Sequence, residues 1–140
     1  MEAPIGRHLH WVARITQKAF NDALEGAGGS LPTWLILLSL EREDYATQLE
    51  LARAVGIEGP TLTHHLDSME RQGLVSRVRD LNNRRAIRVK LTPAGEKLFL
   101  SLREAALGFD RKLRKRVSPE ELAVTRSVLT RFAENVRDER

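Results

Sequence analysis

Two short groups of side chains in this 140-residue chain are suited to recognition chemistry. The first group combines hydroxyls and imidazoles and consists of Thr61, Thr63, His64 and His65. The second group is the pair of adjacent arginines Arg84 and Arg85. Hydroxyls and imidazoles both donate and accept hydrogen bonds, and a guanidinium group donates in a fixed fork to anionic oxygens. These residue types predict binding to a polar, anionic partner such as a nucleic acid.

Residues that could catalyse a reaction or hold a metal are missing or poorly spaced. Cysteine is absent, so thiolate metal sites, disulfides and thiol redox sensing are excluded. The chain has no phosphate-cradling glycine loop and no HExxH pattern. His8 and His10 lie two positions apart on a predicted helix and therefore point in different directions. We predict no metal site and no cofactor, and an enzyme is the weaker rival interpretation.

Composition and charge favour a single globular domain outside the membrane. Hydrophobic residues make up 41% and charged residues 30% of the chain, which is typical of folded proteins. No apolar run approaches the roughly 20 residues of a membrane helix, and the first residues lack the pattern of an export signal. A cytoplasmic location is therefore expected. Segment 47–92 holds eight basic and five acidic side chains, and this net charge of +3 permits phosphate binding.

Segment 47–73 predicts two short helices joined by a turn. Thr47 is a favourable N-cap for the first helix, and Gly56 ends it. The apolar side chains of this helix are expected to pack inward, namely Leu49, Leu51, Ala52 and Val55. Pro60 suits the first turn of the second helix, which should extend to about Gln72. The apolar face of the second helix is formed by Leu62, Leu66 and Met69.

The segment after Gly73 predicts a β-hairpin. Residues 74–78 and 87–91 have the apolar pattern of strands, and they flank a polar loop over Arg79–Arg85. The loop ends in the arginine pair. Because the hairpin directly follows a helix-turn-helix, its tip is placed to reach an adjacent minor groove, whose negative potential attracts arginine.

Amphipathic helices flank this module at both ends of the chain. Their apolar stripes predict helices near 5–25, 93–116 and 118–137, and a largely apolar helix that contains Trp34. The expected fold is mainly α (α+β), in one domain over 1–140. Its parts are a winged helix-turn-helix lobe at 30–92 and dimerisation helices at 5–26 and 93–137. Such long apolar stripes would stay exposed in a monomer, so we expect a homodimer that matches inverted half-sites on DNA.

The chain resembles the MarR-type winged-helix transcriptional regulators, and within them the SlyA-like branch. The resemblance covers nearly the whole chain and includes the stretches QLELARAVGIEGPTLTHHLDSMERQGLVSR and NNRRAIRVKLTPAGE. It implies a homodimeric regulator that binds double-stranded DNA in a sequence-specific manner. Two positions depart from the family pattern: Asn83 replaces an acid that orients the wing, and His64 replaces a frequent arginine. Because histidine changes charge near neutral pH, DNA binding is predicted to depend on pH.

The resemblance also implies which residues contact DNA. The recognition helix inserts Pro60 and the neighbouring Thr61, Thr63, His64 and His65 into the major groove. The wing inserts Arg84 and Arg85 into the flanking minor groove. Phosphate contacts are expected from Thr47, Arg53, Arg77 and Arg88. The alternative function is a winged-helix protein–protein module that does not bind DNA, although the basic wing tip argues against it.

Family members often respond to small aromatic acids, and the resemblance implies where such a ligand would bind. The cleft would be lined by His8, Trp11, Arg14 and Trp34. An arginine near two tryptophans can hold a carboxylate against an apolar wall. The alternative is that both tryptophans belong to the hydrophobic core.

Overall fold

The computed structural model describes residues 2–45, 47–80 and 83–137, with backbone alone for residues 80 and 83–86. Within these residues it contains six helices and a two-stranded antiparallel sheet. In chain order the elements are α1 (Ile5–Gly26), α2 (Leu31–Arg42), α3 (Gln48–Val55), α4 (Gly59–Arg71), β1 (Val75–Asp80), β2 (Asn83–Leu91), α5 (Pro93–Leu113) and α6 (Pro119–Val136). The predicted mainly α fold with a winged helix-turn-helix is confirmed.

Local capping explains where several helices begin and end. Ser30, Thr47 and Ser118 precede α2, α3 and α6, and each side-chain oxygen accepts a hydrogen bond from the backbone N–H three residues later. Gly56 ends α3 with φ +81°, in the left-handed region that glycine adopts without strain. Helix α5 ends earlier than predicted, because the chain turns after Leu113. These helix ends are therefore determined by a few neighbouring residues.

One hydrophobic core joins the helix-turn-helix (α3 and α4) to the elements around it. Its fully buried side chains come from α1, α2, α3, α4 and α5 and are Leu24, Ile36, Leu37, Leu51, Leu62, Leu66, Met69 and Leu102. Trp34 joins the same core, where its ring stacks on Phe99 at a centroid distance of 5.7 Å. Helix α5 also approaches the start of α2 closely, because a Cβ atom on Gly29 would lie 2.7 Å from the Leu102 side chain. The core therefore packs α4 against the elements that surround it.

Helix α3 faces this core with Leu51 and Ala52, which are 0% and 2% exposed. Leu49, which the sequence pattern places inward, is 57% exposed. Two residues along an α-helix correspond to about 200° of rotation, so an inward Leu51 turns Leu49 to the outer side. The prediction for Leu49 is therefore wrong.

The hairpin of β1 and β2 is longer than the sequence predicts. Arg79 still pairs with Ile87, and after a register irregularity Asp80 pairs with Asn83. The predicted loop over Arg79–Arg85 is therefore too long, because pairing between strands extends an element into residues that favour loops by themselves. Residues 81 and 82 lie outside the described part of the chain.

The chain divides into two compact units, Met1–Ala106 and Leu107–Arg140. The first unit contains α1 to α4, the sheet, the first part of α5 and all the core residues given above. The second unit contains the end of α5 and the whole of α6, and none of its described residues is buried. The helix-turn-helix (α3 and α4) and the wing (β1 and β2) therefore lie entirely within the first unit.

Candidate nucleic-acid interface

Helix α4 separates apolar and polar side chains onto opposite faces. Leu62 and Leu66 are completely buried in the core. Pro60, Thr61, Thr63 and His64 are exposed, and His65 is half-buried. An α-helix with one buried face and one exposed polar face can enter a DNA major groove without disturbing its own packing. Four of the five predicted recognition residues thus lie on the exposed side of α4.

The polar groups on this face differ in how free they are to bind. The Thr63 hydroxyl donates to the Gly59 carbonyl at 3.1 Å, so this side chain presents its methyl group and an acceptor oxygen outward. The imidazole rings of His64 and His65 lie 5.9 Å apart and are tilted by 59°. Two tilted rings next to each other address different acceptors rather than a shared one. This arrangement suits separate contacts to base edges.

The first turn of α4 contains no acidic residue, but Glu58 precedes it, and Pro60 within it has no backbone N–H. The first backbone N–H groups of a helix lack partners within the helix and attract negative charge. The carboxylate of Glu58 and the missing donor at Pro60 both reduce this attraction at α4.

Two of the predicted phosphate contacts lie in or beside α3. The Thr47 side chain accepts a hydrogen bond from the Glu50 backbone at 3.1 Å, so its oxygen already caps the helix. Arg53 lies in the last turn of α3 and is exposed. A hydroxyl that accepts a cap bond can still donate its own hydrogen to a phosphate oxygen. Both positions remain available for the predicted contacts.

The wing contributes its arginines in different settings. Arg84 and Arg85 lie in β2, and their side chains are outside the described part of the structure. Arg88 lies in β2 with an exposed side chain. Arg77 lies in β1 and has only 20% of its side chain exposed. Arg77 is therefore less accessible than Arg53 and Arg88, whose side chains are exposed.

An ion-pair cluster between the wing and α4 explains the low exposure of Arg77. Arg77 Nη2 donates to Asp67 Oδ1 at 2.6 Å, and Arg77 Nε donates to Glu70 Oε2 at 3.1 Å. The hydrogen bond to Glu70 raises the pKa of the guanidinium group of Arg77. The same hydrogen bond lowers the pKa of the Glu70 carboxyl. Sequence reasoning missed this cluster, although acidic residues three apart on α4, followed by an arginine in the next strand, were a visible signal.

The predicted ligand residues fall into two separate places. His8, Trp11 and Arg14 lie on α1, and the rings of His8 and Trp11 are 5.5 Å apart. A groove of about 440 Å³ along α1 is lined by Trp11, Arg14, Ile15, Gln17, Lys18 and Asn21. Trp34 is 8% exposed and stacks on Phe99 in the core, so it does not line this groove. The groove therefore brings together two of the four predicted residues, Trp11 and Arg14, while His8 contacts Trp11 outside it.

The described residues hold neither a metal-binding cluster nor a membrane-spanning helix. No group of three or more histidine or acidic side chains among them is placed to hold a metal ion. None of the described helices is long and apolar enough to cross a membrane.

The chain is similar to a known protein family and to several solved structures. A model of the MarR family matches residues 30–87. The transcriptional regulator PA3341 is 34% identical with a TM-score of 0.74, over 95% of this chain and 98% of that one. A mutant MarR from E. coli in complex with operator DNA is 24% identical with a TM-score of 0.79, over 92% and 93%. The S. aureus MepR–DNA complex is 22% identical with a TM-score of 0.83, over 96% and 100%.

Proposed function

The chain belongs to the MarR family, and from this premise we propose that it is a transcriptional regulator that binds double-stranded DNA in a sequence-specific manner. The observation that carries the proposal is the exposed face of α4, with Thr61, Thr63 and His64 opposite a fully buried Leu62 and Leu66. Two solved proteins with the same fold, from E. coli and S. aureus, are bound to DNA. The proposed regulator acts in the cytoplasm and catalyses no reaction, and the resemblance of its recognition-helix and wing stretches supports placing it in the SlyA-like branch.

The proposed contacts to DNA are of two kinds: contacts to base edges read the sequence, and contacts to phosphates position the protein. Pro60 and the residues after it on α4 enter the major groove, where Thr61, Thr63, His64 and His65 read base edges. Threonine methyls suit thymine, and imidazole donates to purine acceptors. Thr47, Arg53 and Arg88 contact phosphates, which orient the protein without reading sequence. Arg84 and Arg85 enter the minor groove beside the recognition helix.

The active form is a homodimer on an inverted repeat. Apolar side chains of the second unit support this, because they have large exposed fractions: Leu107 43%, Leu113 51%, Val124 62%, Leu129 45% and Val136 81%. Exposed apolar surface on this scale marks an interaction site. A two-fold dimer places its two recognition helices about 34 Å apart, one turn of DNA, when the half-sites are inverted.

A small aromatic carboxylate is the proposed effector. Trp11 supplies an apolar wall, Arg14 a cation, and the groove along α1 has a volume of about 440 Å³. Thermal unfolding with and without salicylate tests this proposal. A ligand at 100 times its Kd stabilises the folded state by about 2.7 kcal/mol. We expect stabilisation of the wild type and of His10→Ala but not of Arg14→Ala, and equal stabilisation of all three would contradict the proposal.

Selection of duplexes from a random DNA pool tests the function itself. We expect one enriched inverted repeat, bound at least about 1,000-fold more tightly than a scrambled duplex of the same length. Affinity should fall with added salt, by about 0.9 logarithmic units per phosphate contact for each tenfold increase. His64→Ala should weaken binding, and Ser127→Ala on α6 is the matched control. A protein–protein module would enrich no sequence, and that result would refute the proposal.

A further inference from the structure

We propose that Arg77 is a positioning residue that locks the recognition helix α4 to the wing strand β1, and that it does not contact a DNA phosphate. This inference rests on the proposed DNA-binding function and refines it. It replaces the expectation, drawn from charge and sequence position, that Arg77 contacts the DNA backbone.

The geometry is that of a fork between two elements. Asp67 and Glu70 are three residues apart and therefore lie on the same side of α4. Arg77 lies in β1, beyond the turn at Gly73. Its Nη2 is 2.6 Å from Asp67 Oδ1 and 3.4 Å from Glu70 Oε1, while its Nε is 3.1 Å from Glu70 Oε2. One guanidinium group thus joins two carboxylates on one side of the recognition helix.

The charged groups of this cluster pair with one another within the protein. The side chain of Arg77 is 20% exposed, whereas those of Asp67 and Glu70 are 45% and 43% exposed. The bonds to the two carboxylates use Nε and Nη2, so a phosphate oxygen could be reached only through Nη1 of a side chain that is mostly buried. Removing Arg77 would leave two uncompensated carboxylates on the helix that faces anionic DNA.

The ion-pair cluster fixes the rotation of α4 about its axis, which the apolar core does not fix. Leu62, Leu66 and Met69 hold α4 in place, but apolar contacts are not directional and permit small rotations about the helix axis. Hydrogen bonds between charged groups are directional, and they act here on the flank of α4. His64 lies one turn before Asp67 on the same helix. A fixed rotation of α4 therefore fixes where the base-reading side chains point.

Three variants of the full chain separate positioning from phosphate contact. Affinity is measured against the selected duplex and a scrambled duplex, over a series of salt concentrations, for Arg77→Ala, Arg77→Lys and Glu70→Gln. Arg53→Ala is the comparison for a phosphate contact. Its salt slope should fall by roughly 1 and its affinity should drop on both duplexes. Thermal unfolding establishes that each variant is folded at the assay temperature.

A positioning role predicts a different pattern from that of Arg53→Ala. Arg77→Ala and Arg77→Lys should weaken binding to the selected duplex about tenfold or more, as for the loss of one good base contact, with little change on the scrambled duplex. Their salt slopes should remain near that of the wild type. Glu70→Gln should also weaken specific binding, although it removes a negative charge near DNA. Arg77→Lys keeps a cation beside the two carboxylates, and Glu70→Gln keeps the ion pair of Arg77 with Asp67. The test therefore does not depend on whether Arg77→Ala folds.

Other outcomes would overturn the proposal in distinguishable ways. If Arg77→Ala lowers the salt slope by roughly 1, Arg77→Lys restores binding and Glu70→Gln strengthens it, then Arg77 is a phosphate contact. The proposed function would survive that result. If the wild-type protein binds no duplex selectively, the proposed function and the positioning role are both refuted.

Discussion

The two compact units of this chain use their apolar residues in opposite ways. The first unit buries Leu51, Leu62 and Leu66 completely. In the second unit no described residue is buried, and Val124 is 62% exposed. Both units nevertheless have the apolar spacing of amphipathic helices. An apolar stripe therefore predicts a face that needs a partner, but not whether that partner lies in the same chain.

Helix α1 shows both situations along one element of the first unit. Its end is anchored, because Leu24 is completely buried in the core. Its beginning is not, because Ile5, Trp11 and Ile15 are each more than half exposed. The exposed part of α1 is therefore a second surface available to a partner chain or a ligand.

The largest expected effect comes from opening a cavity in the first unit. Leu66→Ala should lower the free energy of unfolding by about 2–5 kcal/mol, because Leu66 is completely buried. Leu100→Ala on α5 is the matched control, since Leu100 is 55% exposed, and it should change stability by no more than about 0.5 kcal/mol. Urea denaturation measures both values. Equal losses would show that the contrast in burial is wrong.

A smaller effect is expected from charging the exposed apolar face of α6. Leu129→Glu should weaken the proposed homodimer by about 2 kcal/mol or more, because Leu129 is 45% exposed on the apolar stripe and a carboxylate there would be buried without a partner. Ser127→Glu should leave association unchanged, because Ser127 is exposed and two residues correspond to about 200° of rotation, which places it on the opposite side of α6. Sedimentation equilibrium measures the dissociation constants. A Leu129→Glu protein as dimeric as the wild type would place the interface elsewhere.

The smallest effect concerns the start of α6. Ser118 and Glu121 form a reciprocal capping box, and the hydrogen bond from the Ser118 backbone lowers the pKa of the Glu121 carboxyl. A lowered pKa stabilises the folded state above the ordinary carboxyl pKa of 4.5, and this contribution is lost as the pH falls through the lower folded value. Ser118→Ala should cost about 1 kcal/mol at neutral pH.

Amide hydrogen exchange in the first turn of α6 measures this cap. Protection should decrease on acidification in the wild type. In Glu121→Gln it should be lower at neutral pH and should respond less to acid. The same pH response in both proteins would exclude the carboxyl of Glu121 as the titrating group.

Features that depend on neighbouring residues were predictable from the sequence. Thr47 and Ser118 cap helices because each acts on a backbone group three residues away. The same is true of Gly56, whose conformation ends α3. The order of helices and the hairpin follows from apolar periodicity, which is also a property of short segments.

Features that depend on residues distant in the sequence could not be predicted from it. Arg77 and the acidic pair of Asp67 and Glu70 were each visible in the sequence, but whether the fold brings them together, and so buries Arg77, could not be read from β1 or α4 alone. Trp34 and Trp11 look alike in sequence, yet one stacks on Phe99 in the core and the other is exposed on α1. Leu49 was misplaced because α3 has only eight residues, too few to distinguish its two faces by periodicity.

In the proposed function, the exposed face of α4 in the first unit reads base edges. Random-pool selection with Thr61→Ala is the decisive test of this role, with Ser127→Ala as the control. We expect Thr61→Ala to relax or change the preferred base at one position in each half-site, while the control recovers the wild-type sequence. Recovery of an unchanged sequence by both variants would contradict a reading role for Thr61 on that face.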